Sequence, residues 1–488
     1  MTPLVVDELT VTYPNGHRAL DRMSLQVGEG ERWAVVGRSG SGKTTLVRTI
    51  LGLLPAGSTT SGSVRVDGRE VLGASEAALR EIRGLVVGYV PQDPFAACDP
   101  LRTVGHHVGE AWMAHGRTPP AGAVTGALSG VGIDDAGQRA AQHPHQWSGG
   151  MLQRATLVAG TAHSPALTIA DEPTSALDAE LADEVLDLVR RTSGALLLIS
   201  HDLALVSRHT DSVLVLADGR VVERGPAATL LRSPSAAETA ELVAASTPAP
   251  RQARCLDGQE RTVAEVRAVG KRYGTVRAVD GVTLAVAAGE VVGIVGRSGS
   301  GKSTLARLLG GIERPDCGSV LLDGRDAWNG RRTLRPGFVM PVFQDPVASL
   351  DRRWSLWRTL TEPLLGRGER LSRARRRVLA AQVLARVGLE DVDVDRTPGS
   401  LSVGQAQRVA IARALVAEPA LLIADEPTAS LDVAATATIT DLLRGIADDG
   451  AALLVVSHDR ARLESYADRV LTMHAGRLTE GGRCAEAG

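Results

Sequence analysis

The fold of this chain is indicated first by a glycine-rich stretch that reads Gly37-Arg38-Ser39-Gly40-Ser41-Gly42-Lys43-Thr44-Thr45. An apolar, strand-like run at residues 33–36 precedes it, and a helical pattern follows it. Glycines let backbone N–H groups turn inward toward phosphate oxygens, and the start of the next helix adds a positive dipole end. We therefore expect a phosphate cradle, with Lys43 reaching the β- and γ-phosphates of a nucleotide and Thr44 supplying a hydroxyl to Mg²⁺.

The chain repeats this stretch and three other motifs. The second glycine-rich stretch reads Gly296-Arg297-Ser298-Gly299-Ser300-Gly301-Lys302-Ser303-Thr304. The other repeated motifs are Gln92-Asp93-Pro94 with Gln344-Asp345-Pro346, Asp171-Glu172-Pro173-Thr174 with Asp425-Glu426-Pro427-Thr428, and Ser200-His201-Asp202 with Ser457-His458-Asp459. The spacing between copies stays between 252 and 259 residues, which indicates a duplicated domain.

Strand-like runs alternate with helical patterns in both copies. This order predicts an α/β fold with a largely parallel sheet covered by helices. Residues 236–260 are rich in Ala, Pro, Ser and Thr, which is typical of a linker. We predict a first domain at residues 1–235, a linker at 236–260 and a second domain at 261–488.

Composition limits the classes of function. The 488 residues carry a formal net charge of −2, so no strong field favours nucleic acid or an anionic membrane surface. The four cysteines are scattered, which favours free thiols over a disulfide framework or a metal site. The longest apolar runs are strand-length, so we expect no direct membrane insertion. Only three lysines occur, and two of them are Lys43 and Lys302.

Two neighbouring carboxylates end an apolar run in each copy. In an α/β fold the carboxyl ends of the strands form the edge where ligands bind. We expect Asp171 and Asp425 to hold Mg²⁺ through water, and Glu172 and Glu426 to act as general bases on the attacking water.

With these motifs the sequence resembles the ATP-binding-cassette (ABC) family over essentially its whole length, twice. The resemblance implies two P-loop domains, each with a RecA-like core, an antiparallel β subdomain and a helical subdomain. The family's signature turn, which contacts the γ-phosphate of ATP held by the opposite domain, corresponds to Ser148-Gly149-Gly150 and to Ser402-Val403-Gly404. Val403 replaces a glycine of the family pattern, so that turn must use ordinary backbone dihedrals.

The resemblance also assigns three pairs of side chains, which are Gln92 and Gln344, His201 and His458, and Tyr13 and Tyr273. The glutamines would sense Mg²⁺ and the attacking water. The histidines would contact the γ-phosphate, and the tyrosines would stack on adenine. The loops at residues 175–178 and 429–432 would cross to the opposite domain.

The resemblance implies two composite ATP sites within one chain, each formed by residues of both copies. One site would join the Lys43 loop to the Ser402 signature, and the other would join the Lys302 loop to the Ser148 signature. The segments after Gln92 and Gln344 resemble the oligopeptide, dipeptide and nickel uptake branch of the family. This implies two transmembrane permease subunits and an extracytoplasmic solute-binding protein as partners, at the cytoplasmic face of the membrane, with peptides or nickel chelates as cargo.

Two other functions stay open. A soluble tandem cassette acting on ribosomes would normally carry a long charged linker, which this sequence lacks. An exporter ATPase is compatible with the same motifs, because the membrane subunits set the direction of transport.

Overall fold

The computed structural model describes residues 2–174, 177, 179–246, 248–251, 260–297, 299–328, 334–429 and 431–480. The chain divides into two compact units, Met1–Ser246 and Thr247–Gly488. Each unit contains a four-stranded antiparallel sheet, a six-stranded mostly parallel sheet and a group of helices. Within the described ranges no helix combines the length and the apolarity needed to cross a membrane.

The first unit contains ten strands, which are β1 (Leu4–Thr12), β2 (Arg18–Val27), β3 (Arg32–Val36), β4 (Thr59–Val66), β5 (Arg69–Glu70), β6 (Val87–Val90), β7 (Leu167–Asp171), β8 (Ala195–Ile199), β9 (Ser212–Ala217) and β10 (Arg220–Pro226). The antiparallel sheet has the order β2-β1-β4-β5, and the larger sheet has the order β10-β9-β3-β8-β7-β6. Among the described strands of the larger sheet, β10 pairs with β9 in the antiparallel sense and the other pairs are parallel.

The helices of this unit are α1 (Lys43–Ile50), α2 (Glu76–Ile82), α3 (Val104–Met113), α4 (Ala123–Gly130), α5 (Ala136–Ala140), α6 (Gly149–Thr161), α7 (Ala179–Thr192), α8 (Leu203–His209), α9 (Ala227–Leu230) and α10 (Ala237–Ser246). Helices α3 to α6 share a separate apolar core that includes the buried Trp147. The strands β3, β7 and β8 are almost fully buried, because helices cover both faces of a parallel sheet.

The strands of the second unit follow the same plan and are β11 (Thr262–Tyr273), β12 (Val276–Ala287), β13 (Val291–Val295), β14 (Cys317–Leu322), β15 (Arg325–Asp326), β16 (Val339–Val342), β17 (Leu421–Asp425), β18 (Ala452–Val456), β19 (Arg469–His474) and β20 (Arg477–Glu480). Its sheets have the orders β12-β11-β14-β15 and β16-β17-β18-β13-β19-β20. The helices are α11 (Lys302–Leu309), α12 (Pro346–Ser349), α13 (Leu356–Gly366), α14 (Arg373–Arg386), α15 (Val403–Val416), α16 (Val433–Asp448) and α17 (Arg460–Glu464).

The structure differs from the sequence prediction in the segment between the units. Helix α10 occupies residues that we expected to belong to the linker, and it buries Thr239 and Leu242. Alanine-rich sequence suits a helix as well as a linker, because alanine has the highest helix propensity. Residues 252–259 of the predicted linker lie outside the described residues.

Candidate functional site

The first glycine-rich loop joins β3 to α1. Two of its glycines lie so close to the backbone of other segments that a side chain would not fit. Gly42 is left-handed, with φ of 108°, and a Cβ there would lie 2.6 Å from the carbonyl oxygen of Ala19. A Cβ on Gly37 would lie 2.2 Å from the carbonyl oxygen of Leu216. Larger residues would therefore push the loop away from the sheet. A glycine cap has no side chain to satisfy the first N–H groups of α1, which favours an anion at that place.

The lysine of each loop folds back over the loop itself. Nζ of Lys43 donates to the carbonyl oxygen of Gly37 at 2.6 Å and to that of Arg38 at 2.9 Å. Nζ of Lys302 makes the corresponding bond to Gly296 at 2.6 Å. The two copies therefore hold an ammonium group at the same place in the loop, where it can reach an anion cradled by the backbone.

A glutamine, a glutamate and a histidine converge in the first unit. Nε2 of Gln92 donates to Oε2 of Glu172 at 2.9 Å, and Nδ1 of His201 lies 3.3 Å from the same oxygen. The glutamate follows the last residue of β7, and the histidine follows β8. Since β7 and β8 are parallel neighbours, their carboxyl ends bring these side chains together.

The second unit brings together only two of the three corresponding side chains. Nδ1 of His458 lies 2.8 Å from Oε2 of Glu426. Gln344 is exposed, and among the described residues no hydrogen bond joins it to Glu426. The glutamate–histidine pair is thus common to both copies, whereas the glutamine engages the glutamate in the first copy alone.

Both glutamates have a left-handed backbone conformation, with φ of 46° at Glu172 and 49° at Glu426. Their N–H groups donate to Ile199 and Val456, at the ends of the neighbouring strands, at 2.9 Å. Such a conformation is uncommon outside glycine and asparagine, and strained residues concentrate at functional sites.

The histidines have raised pKa values. Burial of His201 opposes protonation, but the hydrogen bond and the negative charge of Glu172 outweigh it and raise the pKa of His201. The hydrogen bond to Glu426 is the main cause of the raised pKa of His458, and burial opposes it. Each histidine is therefore suited to hold a proton beside its glutamate.

In each Ser-His-Asp motif the serine and the aspartate have a structural role, and the histidine contacts the candidate site. Asp202 caps α8 by accepting from the N–H groups of Ala204 and Leu205, and Oγ of Ser200 accepts from the N–H of Asp202. In the second unit Oγ of Ser457 accepts from the N–H of Asp459, and Asp459 accepts from the N–H of Arg462. The serine and the aspartate thus fix the turn, and the histidine between them contacts the glutamate.

The aspartates at the strand ends fit a divalent cation. Burial raises the pKa of Asp171 and of Asp425, and the neighbouring glutamate adds to the rise. Oδ1 of Asp425 is buried and has no hydrogen-bond partner in the described part of the chain, whereas Ser303 donates to the same carboxylate. A hard cation would restore the charge of such a carboxylate, and Mg²⁺ is normally held by one or two carboxylates together with phosphate oxygens.

Among the described residues no three histidine, cysteine or acidic side chains form a metal cluster. The candidate ligands are instead one carboxylate, one hydroxyl and one glutamine amide in each unit, which are Asp171, Thr44 and Gln92 in the first and Asp425, Ser303 and Gln344 in the second. This set fits Mg²⁺ bound together with a nucleotide better than a resident metal enclosed by protein.

Each signature turn caps a helix. Oγ of Ser148 accepts from the N–H of Met151 at 3.3 Å, and Oγ of Ser402 accepts from the N–H of Gln405 at 3.2 Å. Gln405 also accepts from the N–H of Ser402 at 3.0 Å, which completes a capping box in the second unit. The serines are exposed, so their helix ends are accessible.

The substitution at Val403 does not disturb its turn. Neither Val403 nor Gly149 has a left-handed backbone, and a Cβ on Gly149 would meet only Phe95, at 3.9 Å. A close approach is required one residue later, since a Cβ on Gly150 would lie 2.3 Å from Cδ2 of Leu181. The expectation of ordinary dihedrals at Val403 agrees with the structure.

The two tyrosines lie beside the glycine-rich loops. The hydroxyl of Tyr13 is 3.0 Å from Oγ1 of Thr45 in α1. Tyr273 donates to Oε1 of Glu313 at 2.5 Å, and 44% of its surface is exposed. Ser298, and residues 175, 176, 178 and 430 of the crossing loops, lie outside the described residues.

The sequence reasoning missed Tyr89. Its hydroxyl donates to Oδ2 of Asp171 at 3.3 Å, and burial together with the Asp171 charge raises the pKa of Tyr89 to about 12. The register of β6 against β7 places Tyr89 opposite Ile169, and the corresponding residue of the second unit is Pro341. The sequence did offer one signal for this role. Tyr89 lies three residues before Gln92, on a strand-like run that could pair with the strand ending at the acidic residues.

Comparison with known proteins decides the family. A family model described as "ABC transporter" matches residues 20–175 and 279–429. The chain belongs to the ABC transporter family. It is an ATPase with two ABC domains in tandem, and its α/β fold confirms the prediction from the motifs.

Near-full-length relatives support this assignment. The chain is 35% identical over 509 residues to the uncharacterized ABC transporter ATP-binding protein YejF of Escherichia coli, covering 99% of this chain and 96% of that protein. It is 33% identical to the oligopeptide transport ATP-binding protein OppD of Mycobacterium tuberculosis, covering 100% and 96%. It is 32% identical to the glutathione import ATP-binding protein GsiA of E. coli, covering 98% and 86%.

A solved structure of the archaeal ribosome recycling factor aABCE1, in complex with the ribosomal stalk protein aP1, is also similar. It has a TM-score of 0.65 and 21% identity, covering 96% of this chain and 89% of that one. At this identity the similarity shows the fold alone, and it does not favour a function on ribosomes.

Proposed function

We propose that this ABC ATPase drives the uptake of peptides through two separate membrane permease subunits, from the cytoplasmic face of the membrane. The observation that carries the proposal is the presence of a complete lysine, aspartate, glutamate and histidine set in both copies. Relatives named for oligopeptide and glutathione transport support the cargo class.

In each proposed site the side chains have distinct tasks. The loop amides and Lys43 or Lys302 bind the phosphates of ATP, and the signature serines and glycines add the start of a second helix. Glu172 and Glu426 accept a proton from the attacking water, and the adjacent histidines stabilise the charge that develops. Mg²⁺, when bound beside Asp171 and Asp425, would supply charge neutralisation at the departing phosphate.

The proposed pairing of the two domains follows from the same residues. ATP held by one glycine-rich loop would be closed by the signature of the other copy, and its hydrolysis would release that closure. The pairing is a proposal about the working state, and it predicts that loss of the Ser148 cap or of the Ser402 cap slows hydrolysis without preventing ATP binding.

An apolar cavity in the first unit offers a place for a permease segment. Its volume is about 380 Å³, and it lies between the strand that carries Tyr89 and the helices α3 and α6. Leu53, which is 52% exposed, lines it, and so does the buried Val108. Apolar cavities of this kind on an otherwise polar surface are typical of partner contacts. The cavity lies just before the Gln92 loop, so a segment seated there would sense the state of the site.

The experiment is copurification with membrane subunits. A Leu53→Asp variant should lose the permeases, because a carboxylate in the cavity lining would have to be desolvated on docking. Leu101→Asp is the matched control, since Leu101 is 83% exposed and does not line the cavity. Permeases recovered with wild type and with Leu101→Asp, but not with Leu53→Asp, support the proposal. Recovery of ribosomes without permeases would contradict it.

The cargo is tested by transport. Cells that lack this chain should fail to take up short peptides, and the wild-type chain should restore uptake. A complemented strain that expels peptide while showing no uptake would favour the exporter alternative. Restored uptake of nickel chelates, without peptides, would replace the proposed cargo with the other cargo class that the sequence left open.

A further inference from the structure

The helical region of the second unit carries a dense group of arginines. Residues 352–377 contain nine arginines and two glutamates, whereas the corresponding residues 100–121 of the first unit contain two arginines and one glutamate. The whole chain has a net charge of only −2, so this concentration is local. Such a local field attracts anions even on a nearly neutral protein.

Several of these arginines surround one cavity, the arginine–tryptophan pocket, which is lined by Arg353, Trp357, Arg358, Arg373, Arg376 and Asp395, among other residues. Its volume is about 590 Å³. The pocket connects the start of α13 to the start of α14.

Indole rings hold three of the arginines in place. The guanidinium carbon of Arg376 lies 4.9 Å from the ring centre of Trp357, and that of Arg373 lies 5.5 Å from the same centre. Arg358 lies 5.2 Å from the ring centre of Trp354. Nε of Arg376 also donates to Oγ1 of Thr361 at 2.7 Å. Stacking and this bond restrict the side chains, so less entropy is lost when they bind an anion.

The two nearest carboxylates, Asp351 and Asp395, are already paired with arginines other than Arg358, Arg373 and Arg376. Asp351 pairs with Arg353 at 3.0 Å, and Asp395 pairs with Arg377, which does not line the pocket. Within the described ranges Arg358, Arg373 and Arg376 have no carboxylate in ion-pair contact. Burial and the nearby positive charge of Arg358 lower the pKa of Arg376.

We propose that the arginine–tryptophan pocket binds a multiply charged phosphate-type anion, either free or as the headgroup of an anionic lipid. Three guanidinium groups with five N–H donors each match the oxygens of such a group, which accepts several bidentate bonds. The indole rings of Trp354 and Trp357 already stack with arginines. A flat aromatic ligand is therefore not favoured.

The pocket is also placed to influence the candidate ATP site of its own unit. It begins nine residues after Gln344, and α12 lies between them. Nη1 of Arg413, on α15 behind the signature turn, donates to the carbonyl oxygen of Ser349 at the end of α12. An anion held by Arg353 and Arg358 would restrict the chain that follows α12, and this is the part of the segment nearest to the pocket.

The first unit supplies a natural comparison. Gly105 stands where the second unit has Trp357, and His106 stands where it has Arg358. The His106 side chain contacts Glu110 at 3.4 Å, so its polar edge is already engaged. The first unit should therefore bind no phosphate-type anion at this place.

The test measures the tryptophan fluorescence of the full chain, to which Trp357 in the pocket wall contributes. The nucleotide sites are first saturated with Mg²⁺ and a non-hydrolysable ATP analogue, so that they cannot bind the probes. Inorganic pyrophosphate is then titrated in one arm. In the other arm, vesicles of phosphatidylglycerol are compared with vesicles of phosphatidylcholine. A saturable change that weakens with added salt is expected in at least one arm.

Variants decide where the probe binds. Arg376→Gln and Arg358→Gln should each raise the Kd about tenfold or more. Arg375→Gln, which removes the same charge from an exposed position on α14 that does not line the pocket, should change it less than about threefold. If Arg376→Gln fails to fold, the exposed Arg358→Gln decides. A response to pyrophosphate identifies a free phosphate ligand, and a response only to phosphatidylglycerol identifies a headgroup.

Three results would overturn the proposal. The first is the absence of any saturable response of the wild-type chain in both arms. The second is an equal weakening by Arg375→Gln, which would indicate a diffuse charge effect. The third is binding of an acidic peptide without binding of either phosphate probe, which would indicate a protein-docking surface instead.

Discussion

The two units hold the same chemical groups in the same places but support them differently. Each places a lysine over its loop and a histidine against a glutamate. Behind the sheet, Arg444 of the second unit is buried and ion-paired with Asp468, which is only 1% exposed. The corresponding residues of the first unit, Arg190 and Asp211, are 34% and 59% exposed. The comparison teaches that the ion pairs of the framework can differ between the copies while the lysine of the loop and the glutamate–histidine contact are kept.

The largest effect is expected from removing the buried ion pair. Arg444→Ala should destabilise the second unit by about 3–5 kcal/mol, because Asp468 would remain charged and buried without its partner. Arg190→Ala is the matched change in the first unit and should cost about 0.5 kcal/mol or less. Hydrogen exchange of peptides from each unit, in mild denaturant, separates the two losses. An equal loss of stability in the two variants would contradict the claim that only the second unit depends on a buried ion pair at this place.

A smaller effect is expected at the signature turn. Gly150→Ala should cost about 1–3 kcal/mol, because the new Cβ would overlap with Leu181. Gly149→Ala should change stability by about 0.5 kcal/mol or less, since space is open there. Thermal unfolding of the two variants measures the difference. The account of this turn fails if the Gly149 variant proves to be the less stable one.

The ion pairs of the first unit predict a pH dependence. Hydrogen bonds from His209 and Arg208 outweigh burial and lower the pKa of Asp183. A lowered carboxyl pKa stabilises the fold above the unfolded pKa of about 3.9, and this contribution is lost as the pH falls through the folded pKa. Asp183→Asn should therefore cost up to about 1 kcal/mol at pH 7, and this cost should shrink as the pH falls below about 3.9 and through the folded pKa of Asp183.

The control for this prediction is Asp441→Asn, on the corresponding helix α16 of the second unit, where Asp441 is exposed. Denaturant unfolding across the pH range compares both variants with the wild type. A gap between Asp183→Asn and wild type that widens at low pH would have the wrong sign and would contradict the assignment.

The smallest effect is expected from making the two signature turns alike. Gly149→Val gives the first unit the residue that the second unit carries at Val403. Since both positions have ordinary backbone dihedrals, ATP turnover should stay within about twofold of wild type, or about 0.5 kcal/mol. A steady-state ATPase assay checks this. A large drop would mean that the glycine is required by the partner surface and not by the turn.

The sequence predicted the repeated α/β plan well because its signals are local. The run at residues 33–36 became the strand Arg32–Val36, and the apolar runs that end at the two acidic pairs became the strands β7 and β17. The sequence failed at the helix Ala237–Ser246, because an alanine-rich segment is typical of a linker and of a helix alike. Only burial of Leu242 against the unit decides between them.

The sequence motifs named the candidate residues of the site, but they did not predict which of those residues are hydrogen-bonded to one another. The motifs named Gln92, Glu172 and His201 and their counterparts in the second unit. That Gln92 bonds to Glu172, whereas Gln344 makes no such bond to its glutamate among the described residues, depends on packing that no motif records. Tyr89 escaped notice because its role depends on a register between two strands that are about 80 residues apart.

The central claim is that both copies hydrolyse ATP with Glu172 and Glu426 as general bases. The most direct test is the steady-state ATPase rate of the double variant Glu172→Gln with Glu426→Gln, measured beside each single variant and with ATP binding assayed in parallel. We predict that the double variant binds ATP and hydrolyses it at least about 100-fold more slowly, with each single variant slowed as well. Wild-type turnover in the double variant would contradict the account.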